Sequence, residues 1–545
     1  MISCNQCGIA ISSVARFCKN CGAAISNSDQ LNSTLFSLDP KSIGADRIKS
    51  TKNLESISQA IFVAPAHFLN TLSEIFSTVG IKPYSILSGN DEMDIKNKIH
   101  HKWQQNIDHP PKYICLIGNW DEVPPFKLAA PEIMHDHDEF CVTDAPYGCI
   151  QAYDEENIFS IIPDIPVGRI PTIDSEVLIR LFFEEEIKTD ANKSFLFAVS
   201  AQVWNRATEK IINLFLNSED NNRLKNDPTD INQFPYRGVL SSPNWYEDDL
   251  KKITRQKFDI KNSVILFNVH GGLDEPIWVG EADGKYTKIF DIDTINDFNS
   301  SIIISEACYG GALGYDPKSI VEAFFERGGR TFIGSSTIAY GAANENIFGA
   351  DHIALHFLRA IARGDEFGDA LNFSKSEIAK SDSLYKFVGE KTILSFNLFG
   401  LPWGRSLPTP SLTSTDDQAF DVTSKLEQIR SRTSSLGVNK GNTLDNIRNR
   451  YLSNLSGKNK QFLLNKAEAR DKFRRFKDAN KINNMLIEWS GNSDDYLLQF
   501  FSNNEDEGYA LFSQAPGFDK STKTMILLID SMGNLNITLT SKGAI

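Results

Sequence analysis

No run of 18 or more apolar residues occurs in the 545-residue chain, which excludes a bilayer-spanning helix. The opening segment, "MISCNQCGIAISSVARFCKNCG", lacks the basic start and continuous apolar core of a secretory leader, so the chain reads as cytoplasmic. Positive charge is in deficit. With 56 Lys and Arg against 70 Asp and Glu, the net charge is −14, and no general affinity for nucleic acid or anionic membrane is expected. Cysteine is scarce beyond residue 21, where only Cys115, Cys141, Cys149 and Cys308 occur. That distribution excludes a disulfide framework. "HIALH" places His352 and His356 on one helical face, but Ile, Ala and Leu stand between them, with no Glu after the first His, so the HExxH zinc signature is absent. What remains is an ordinary globular composition, 41% hydrophobic and 23% charged. A chain of this length makes about three to five domains.

The other four cysteines crowd into the start. Cys4, Cys7, Cys18 and Cys21 form C-x2-C-x10-C-x2-C, and each pair is followed by Gly. Two intervening residues let one tight turn aim both thiolates at one ion, and the Gly allows the positive φ such a turn often needs. Four thiolates fill tetrahedral Zn²⁺ and leave no open position, so the site is expected to be structural. So short a segment has almost no core, and the metal must supply its folding free energy. Residues 1–25 thus read as a zinc ribbon similar to those that begin many prokaryotic proteins. The polar, Ser- and Asn-rich residues 26–56 read as a flexible linker.

From residue 57, short apolar runs alternate with helical spacing: "AIFVAP", "AHFLNTLSEIFSTVG", "IKPYSIL", "DEMDIKNKIHHKWQQN", "KYICLIG". This order implies α/β architecture with a mostly parallel sheet covered on both faces. Residues 57–192 form a first subdomain, and a second α/β series fills 193–408. Two of its strands, "NSVILFNVHGG" and "SIIISEACYGG", end in His270 and Cys308. Sites in open parallel sheets form beyond the carboxyl ends of strands. Imidazole is the natural base for a thiol nucleophile, and 38 residues is one strand plus a crossover. Gly310 and Gly311 leave room for a substrate backbone. On spacing alone, a core cysteine and a hydrogen-bonded core histidine remain the competing reading.

"NVHGG" followed by "SEACYGG" resembles the His-Gly and Ala-Cys motifs of the caspase-fold cysteine peptidases, the group of caspases, legumain, clostripain and gingipains. "YICLIGNWDEVPP", "TDAPYG", "IPDIPVGRIPT", "VEAFFERGGRTFIGSSTIAYG" and "SFNLFGLPW" resemble the gingipain branch in order, over roughly residues 57–408. In the last of these, Leu401 stands where gingipains carry Asp. The resemblance implies a caspase-like sheet flanked by helices in two subdomains. It implies Cys308 as nucleophile and His270 as its proton-transfer partner. The backbone N–H groups of Gly271 and Cys308 would make the oxyanion hole. Trp278 would line the substrate groove, and Tyr340 would form a wall of the specificity pocket.

The chain also departs from that pattern. Gln202 stands where a carboxylate is expected to support the histidine. It could orient the imidazole by a hydrogen bond but would not stabilise an imidazolium. Glu306 is an acid near the site, of undetermined direction. The acid that selects arginine is missing from "VWNRATE", so arginine specificity is not inherited. Trp204 and Arg206 lie in that segment, and Arg206 is a candidate for recognising an acidic side chain.

Other features are weaker. "HDHDE" (residues 135–139) reads as a solvated polar loop, with a divalent-ion site as the alternative. Asp144 and Tyr147 read as turn formers. Residues 446–481 carry 11 Lys and Arg against three Asp and Glu, with Phe462, Leu463, Phe473 and Phe476 at helix-like spacing. Four strands follow, the last two joined around "SMGN", so 409–545 reads as a small α+β accessory domain. The leading function is an intracellular cysteine endopeptidase acting on specific proteins, with a regulatory protein partner docked by the ribbon or the C-terminal domain. A catalytically inactive scaffold and a zinc-ribbon regulator that binds nucleic acid are the alternatives.

Overall fold

The structure, a computed structural model, describes residues 2–3, 10–11, 51–105, 109–133, 136–150, 158–183, 196–216, 236–242, 263–272, 276–282, 285–292, 298, 301–315, 318–343, 347–380, 386–406, 460–464, 466–490, 496–502, 507–516 and 522–541. The chain divides into two units, Met1–Gly44 and Ala45–Ile545. In the first, β1 (Ile2–Ser3) pairs antiparallel with β2 (Ala10–Ile11). Cys4, Cys7, Cys18 and Cys21 lie outside the described residues, as does most of the linker. The expected linker of residues 26–56 is corrected at its end, where α1 (Thr51–Ser58) already forms a helix.

In the second unit the first α/β series runs β3 (Ala60–Val63), α2 (Leu69–Thr78), β4 (Ser85–Leu87), α3 (Glu92–Gln105) and β5 (Tyr113–Ile117). A hairpin of β6 (Phe126–Ala129) and β7 (Phe140–Thr143) follows, then β8 (Val167–Ile170) and α4 (Ser175–Phe183). The second series runs β9 (Leu196–Ala201), α5 (Asn205–Leu216), β10 (Tyr236–Ser242) and β11 (Val264–Asn268). Next come three antiparallel strands, β12 (His270–Gly271), β13 (Ile277–Ala282) and β14 (Lys285–Asp291). β15 (Ile302–Ser305), α6 (Ile320–Glu326), β16 (Thr331–Ser335) and β17 (Tyr340–Ala342) complete the strands around Cys308. The helices α7 (Ala350–Ala362), α8 (Phe367–Ala379) and α9 (Lys386–Ser395) lead to β18 (Phe396–Gly400).

Ten of these strands form one sheet in the order β10-β9-β11-β15-β16-β18-β8-β5-β3-β4. Every neighbouring pair is parallel except β16 with β18. The mostly parallel, helix-flanked sheet expected from the sequence is present, and β18 is the seam where the two series meet. β3, β5, β8, β9, β11, β15, β16 and β18 are buried at every position, because helices cover both faces. That is why their sequences read as continuous apolar runs. α6 begins with a reciprocal cap between Ser319 and Glu322, legible as S-x-x-E.

The C-terminal stretch forms β19 (Lys460–Leu463), α10 (Lys466–Phe473), α11 (Ala479–Ser490), β20 (Leu497–Ser502), β21 (Glu507–Pro516), β22 (Thr522–Asp530) and β23 (Leu535–Ser541). The four expected strands and the last hairpin are present. Phe462 and Leu463, read as part of a helix face, lie instead in β19. This sheet does not stand apart from the body, because its order is β17-β23-β22-β21-β20-β19 and β17 comes from the peptidase segment. Strand alternation divides its apolar residues. Leu511, Met525, Leu527 and Ile529 pack with Ile482 and Leu486 of α11. Ala510, Phe512, Ile526, Leu528 and Leu539 join the main core. The boundary drawn at residue 409 is therefore bridged by backbone pairing and by a shared core.

Asp144, read as a turn former, proves to be half of a buried ion pair. Arg169 of β8 is fully buried and grips Asp144 with two bonds, of 2.7 and 2.6 Å. Its remaining donor satisfies the carbonyls of Gly118, Asn119 and Val123 at 2.9 to 3.0 Å. Tyr147 is buried and donates to the Pro124 carbonyl. His352 and His356 pack against Phe348 and Phe373, and burial pushes the His356 imidazole down to about 4. Among the described residues no cluster of three or more His, Cys, Asp or Glu is placed to hold a metal ion. Arg169→Leu leaves the Asp144 charge buried and unmatched, and is expected to cost about 3–5 kcal/mol of stability. Denaturant unfolding measures it, with Arg330→Leu, at the residue before β16, as a control expected to cost less.

Candidate active site

β11 and β15 are adjacent parallel strands, with Phe267 opposite Ser305. One further bond, from Glu306 N–H to the Phe267 carbonyl at 2.8 Å, carries the pairing past their ends. His270 and Cys308 follow directly, as the strand-end argument requires. Gly271 sits so close to the second turn that a Cβ there would lie 2.2 Å from the Cys308 carbonyl oxygen. Glycine is thus demanded by contact between the two motifs. Tyr315 ties them again by donating to the Gly272 carbonyl at 3.1 Å.

The imidazole is held from three sides. Nε2 of His270 lies 2.8 Å from Oε2 of Glu281, on the neighbouring hairpin strand β13. Both side chains are almost wholly buried, at 1% and 7% exposed. The Trp204 ring lies 4.4 Å from the imidazole and the Tyr286 ring 5.4 Å. Tyr286 faces Glu281 across β13 and β14, and burial followed by the Glu281 charge raises its phenol well above the ordinary value. The carboxylate expected at residue 202 is therefore supplied from a different element. Gln202 is exposed in a 3-10 turn, and Arg206 is exposed in the first turn of α5. Glu306 is fully buried at the end of β15. The sequence did carry a signal for Glu281: "WVGEADGKYTK" has alternation and the Asp-Gly turn of a hairpin.

The thiol sits in a tight turn. Gly310 N–H bonds the Ala307 carbonyl at 3.1 Å, and Ala312 N–H bonds that of Tyr309 at 3.0 Å. Tyr309 has φ +52°, the one non-glycine residue with positive φ among those described. Such backbone persists only where the surroundings over-determine it. Here Tyr309 N–H bonds Thr337 at 2.9 Å, and its hydroxyl donates to Asp138 at 2.7 Å. Gly310 and Gly311, expected to clear space for a substrate, serve packing. An added Cβ would stand 2.5 Å from Ser305 Oγ or from the Gly334 carbonyl. Cys308 Sγ receives Ala339 N–H at 3.2 Å. Burial raises this thiol well above its ordinary range, and the Ala339 amide offsets only part of that.

Beneath the turn lies a charge cluster that the sequence reading placed in solvent. Lys391 binds Asp136 and also Asp138, the latter at 2.7 Å, and the three side chains are 1%, 2% and 10% exposed. Asp138 also accepts Ile338 N–H at 2.8 Å, and Asp136 accepts the Tyr340 hydroxyl at 3.0 Å. "HDHDE" is thus buried at its two aspartates, because the Lys391 ammonium compensates them. His137 remains exposed, and His135 lies outside the described residues.

Two other expected groove residues are also buried. Trp278 packs on Phe267, Phe290 and Phe332 at 4.9 to 6.1 Å, so its ring belongs to the core. It still borders a small depression with Gly272, Tyr309, Gly310 and Tyr315. Tyr340 is 1% exposed, and its ring lies 5.8 Å from the Lys391 ammonium.

Glu281→Ala should therefore lower any His270-dependent turnover by about 10–100-fold, within the ~10²–10⁴ that a positioned acid–base group contributes. Gln202→Ala should lose at least tenfold less, and comparing kcat of the two variants reads the difference.

No curated protein matches the sequence. The model of peptidase family C25 matches residues 73–403, more than half of the chain.

Proposed function

We propose that this chain, which belongs to peptidase family C25 and is a cysteine-type endopeptidase of the gingipain type, cleaves specific proteins through Cys308 and His270. The observation that carries the reading is the meeting of the two motifs at Gly271 and Cys308, with the imidazole fixed by a buried carboxylate.

In this reading His270 takes the thiol proton of Cys308 as Sγ attacks the substrate carbonyl carbon. A C–S bond forms, the carbonyl oxygen takes negative charge, and the N–H groups of Gly271 and Cys308 stabilise it. The C–N bond then breaks as His270 delivers a proton to the leaving amine. Water then attacks the thioester carbon as His270 takes its proton; the C–S bond breaks, and the proton passes from His270 to the departing sulfur, which restores the thiol. Glu281 holds the ring and stabilises its protonated form. Of the residues expected on the substrate side, the exposed Gln202 and Arg206 remain in the proposal, with Trp278 at the border of the depression beside the Cys308 turn, while Trp204 and Tyr340 act from beneath it. The exposed Arg206 would favour an acidic side chain. A Gln at residue 202 would favour an inactive scaffold, and the carboxylate of Glu281 beside His270 supports the active reading instead.

The proposal includes a structural Zn²⁺ on Cys4, Cys7, Cys18 and Cys21, supported by their spacing. It also includes a reducing cytoplasmic setting, in which the buried thiols Cys115, Cys141 and Cys149 stay free. The ribbon would recruit a regulatory protein partner.

Two measurements test this. Peptide-library hydrolysis should vanish in Cys308→Ala and fall about 10²–10⁴-fold in His270→Ala. Activity that persists without Cys308 would exclude it as nucleophile. Elemental analysis of the purified chain should find one zinc per molecule, lost in Cys4→Ser with Cys7→Ser.

A further inference from the structure

The amide of Ala339 bonds Cys308 Sγ, and β17 begins at the next residue. An extended polypeptide brought to the thiol gains main-chain hydrogen bonds by lying along such a strand. β17 offers two edges. One is closed by α7, where Asp351 Oδ2 accepts Ala342 N–H at 2.6 Å. On the same side the Tyr340 carbonyl lies against Gly349, where a Cβ would stand 2.5 Å from it. The other edge is occupied by β23.

The polarity of β23 matters. It runs from Leu539 opposite Ala342 to Ser541 opposite Tyr340, so its C-terminal end points toward the nucleophile turn. A substrate lying antiparallel on β17 would run the same way, with its acyl-side residues along the strand. Bonded and non-bonded pairs alternate in such ladders. Ala343 N–H bonds the Thr538 carbonyl at 3.0 Å, so the next bonded pair is Gly341 with Thr540. β23 also reaches the imidazole side, because Trp204 Nε1 donates to Thr540 Oγ1 at 2.6 Å while its ring lies on His270. With β23 in place Cys308 is 0% exposed and His270 1%.

We propose that β23 is a built-in latch. It occupies the edge of β17 on which an extended substrate is to lie, and the C-terminal sheet must release that edge before cleavage. This rests on the reading of Cys308 and His270 as the reacting pair. Substrates are then segments able to adopt a strand and replace β23, and whatever pulls on the C-terminal sheet is an activator.

The test uses the full-length chain. Thr540→Pro removes the amide that faces β17 and keeps the amides of Ile537 and Leu539, which face β22. A second variant joins Ala342→Cys with Leu539→Cys. This is a non-bonded cross-strand pair with Cα atoms about 4.5 Å apart, within disulfide reach. Two rates are followed: alkylation of Cys308 by iodoacetamide, located by mass spectrometry, and hydrolysis of a quenched peptide library. Thr540→Pro should raise both at least tenfold over the unaltered chain. The double-cysteine variant should be at least tenfold slower oxidised than reduced. A folded Thr540→Pro chain with both rates within twofold of the unaltered one overturns the latch. So does an oxidised double variant as fast as its reduced form, and that comparison decides alone if Thr540→Pro does not fold. Faster alkylation with no peptide cut supports the latch and overturns the catalytic reading instead.

Discussion

Lys391 is the charge on which the site depends. Its ammonium is buried midway along α9, and it holds Asp136 and Asp138 from a loop more than 250 residues earlier. Burial alone would drive the proton off. The two carboxylates outweigh it, and the lysine is held above its ordinary value. Once compensated, the aspartates can act as acceptors for neutral groups. Through Asp138 the cluster fixes Tyr309 on one side of Cys308 and Ile338 on the other. Through Asp136 it fixes Tyr340, the first residue of β17. The left-handed turn at Tyr309, the amide on the thiol and the edge strand beside it are thus three outputs of one charge balance. Removing any member leaves a charge stranded in a low dielectric, which makes the cluster costly to disturb.

A second constraint is the single antiparallel contact in the large sheet. Strands of the first series point one way and those from β9 to β16 the other, and β18 joins them. Asn397, on β18, reaches back into the first series by accepting the Asp144 N–H at 3.0 Å and donating to the Val142 carbonyl at 2.9 Å. The Arg169–Asp144 pair lies on the same side of the seam. The "TDAPYG", "IPDIPVGRIPT" and "SFNLFGLPW" stretches therefore meet beside this seam, where they join the two halves of the sheet.

How much of this the sequence revealed follows from what each element packs against. Strands buried on both faces leave unbroken apolar runs, so the central sheet and the placement of His270 and Cys308 were readable. β12, β13 and β14 lie outside the large sheet and, though mostly buried where described, leave only a faint alternation, and Glu281 was missed with them. Asp136 and Asp138 looked solvated because charge in a polar loop ordinarily is, and a partner at residue 391 leaves no local trace. Gly310 and Gly311 were read as room for a ligand, but glycine is equally needed where backbones touch, as they do at Gly334. The strands of the C-terminal region were legible from period-two alternation. Their attachment to the body was not, since β17 is three residues long and short strands carry no pattern.

The order in which these parts leave the ribosome gives the β17–β23 pairing a meaning in time. The sheet that places His270 and Cys308 is complete once β18, ending at Gly400, has been made. β23, the strand proposed as the latch, ends at Ser541. About 140 residues separate the two, and synthesis runs at about 5–20 residues per second. Each new molecule thus spends about 7 to 28 s with the sheet around His270 and Cys308 synthesised and β23 not yet delivered. During that interval the nascent chain itself is the nearest extended polypeptide.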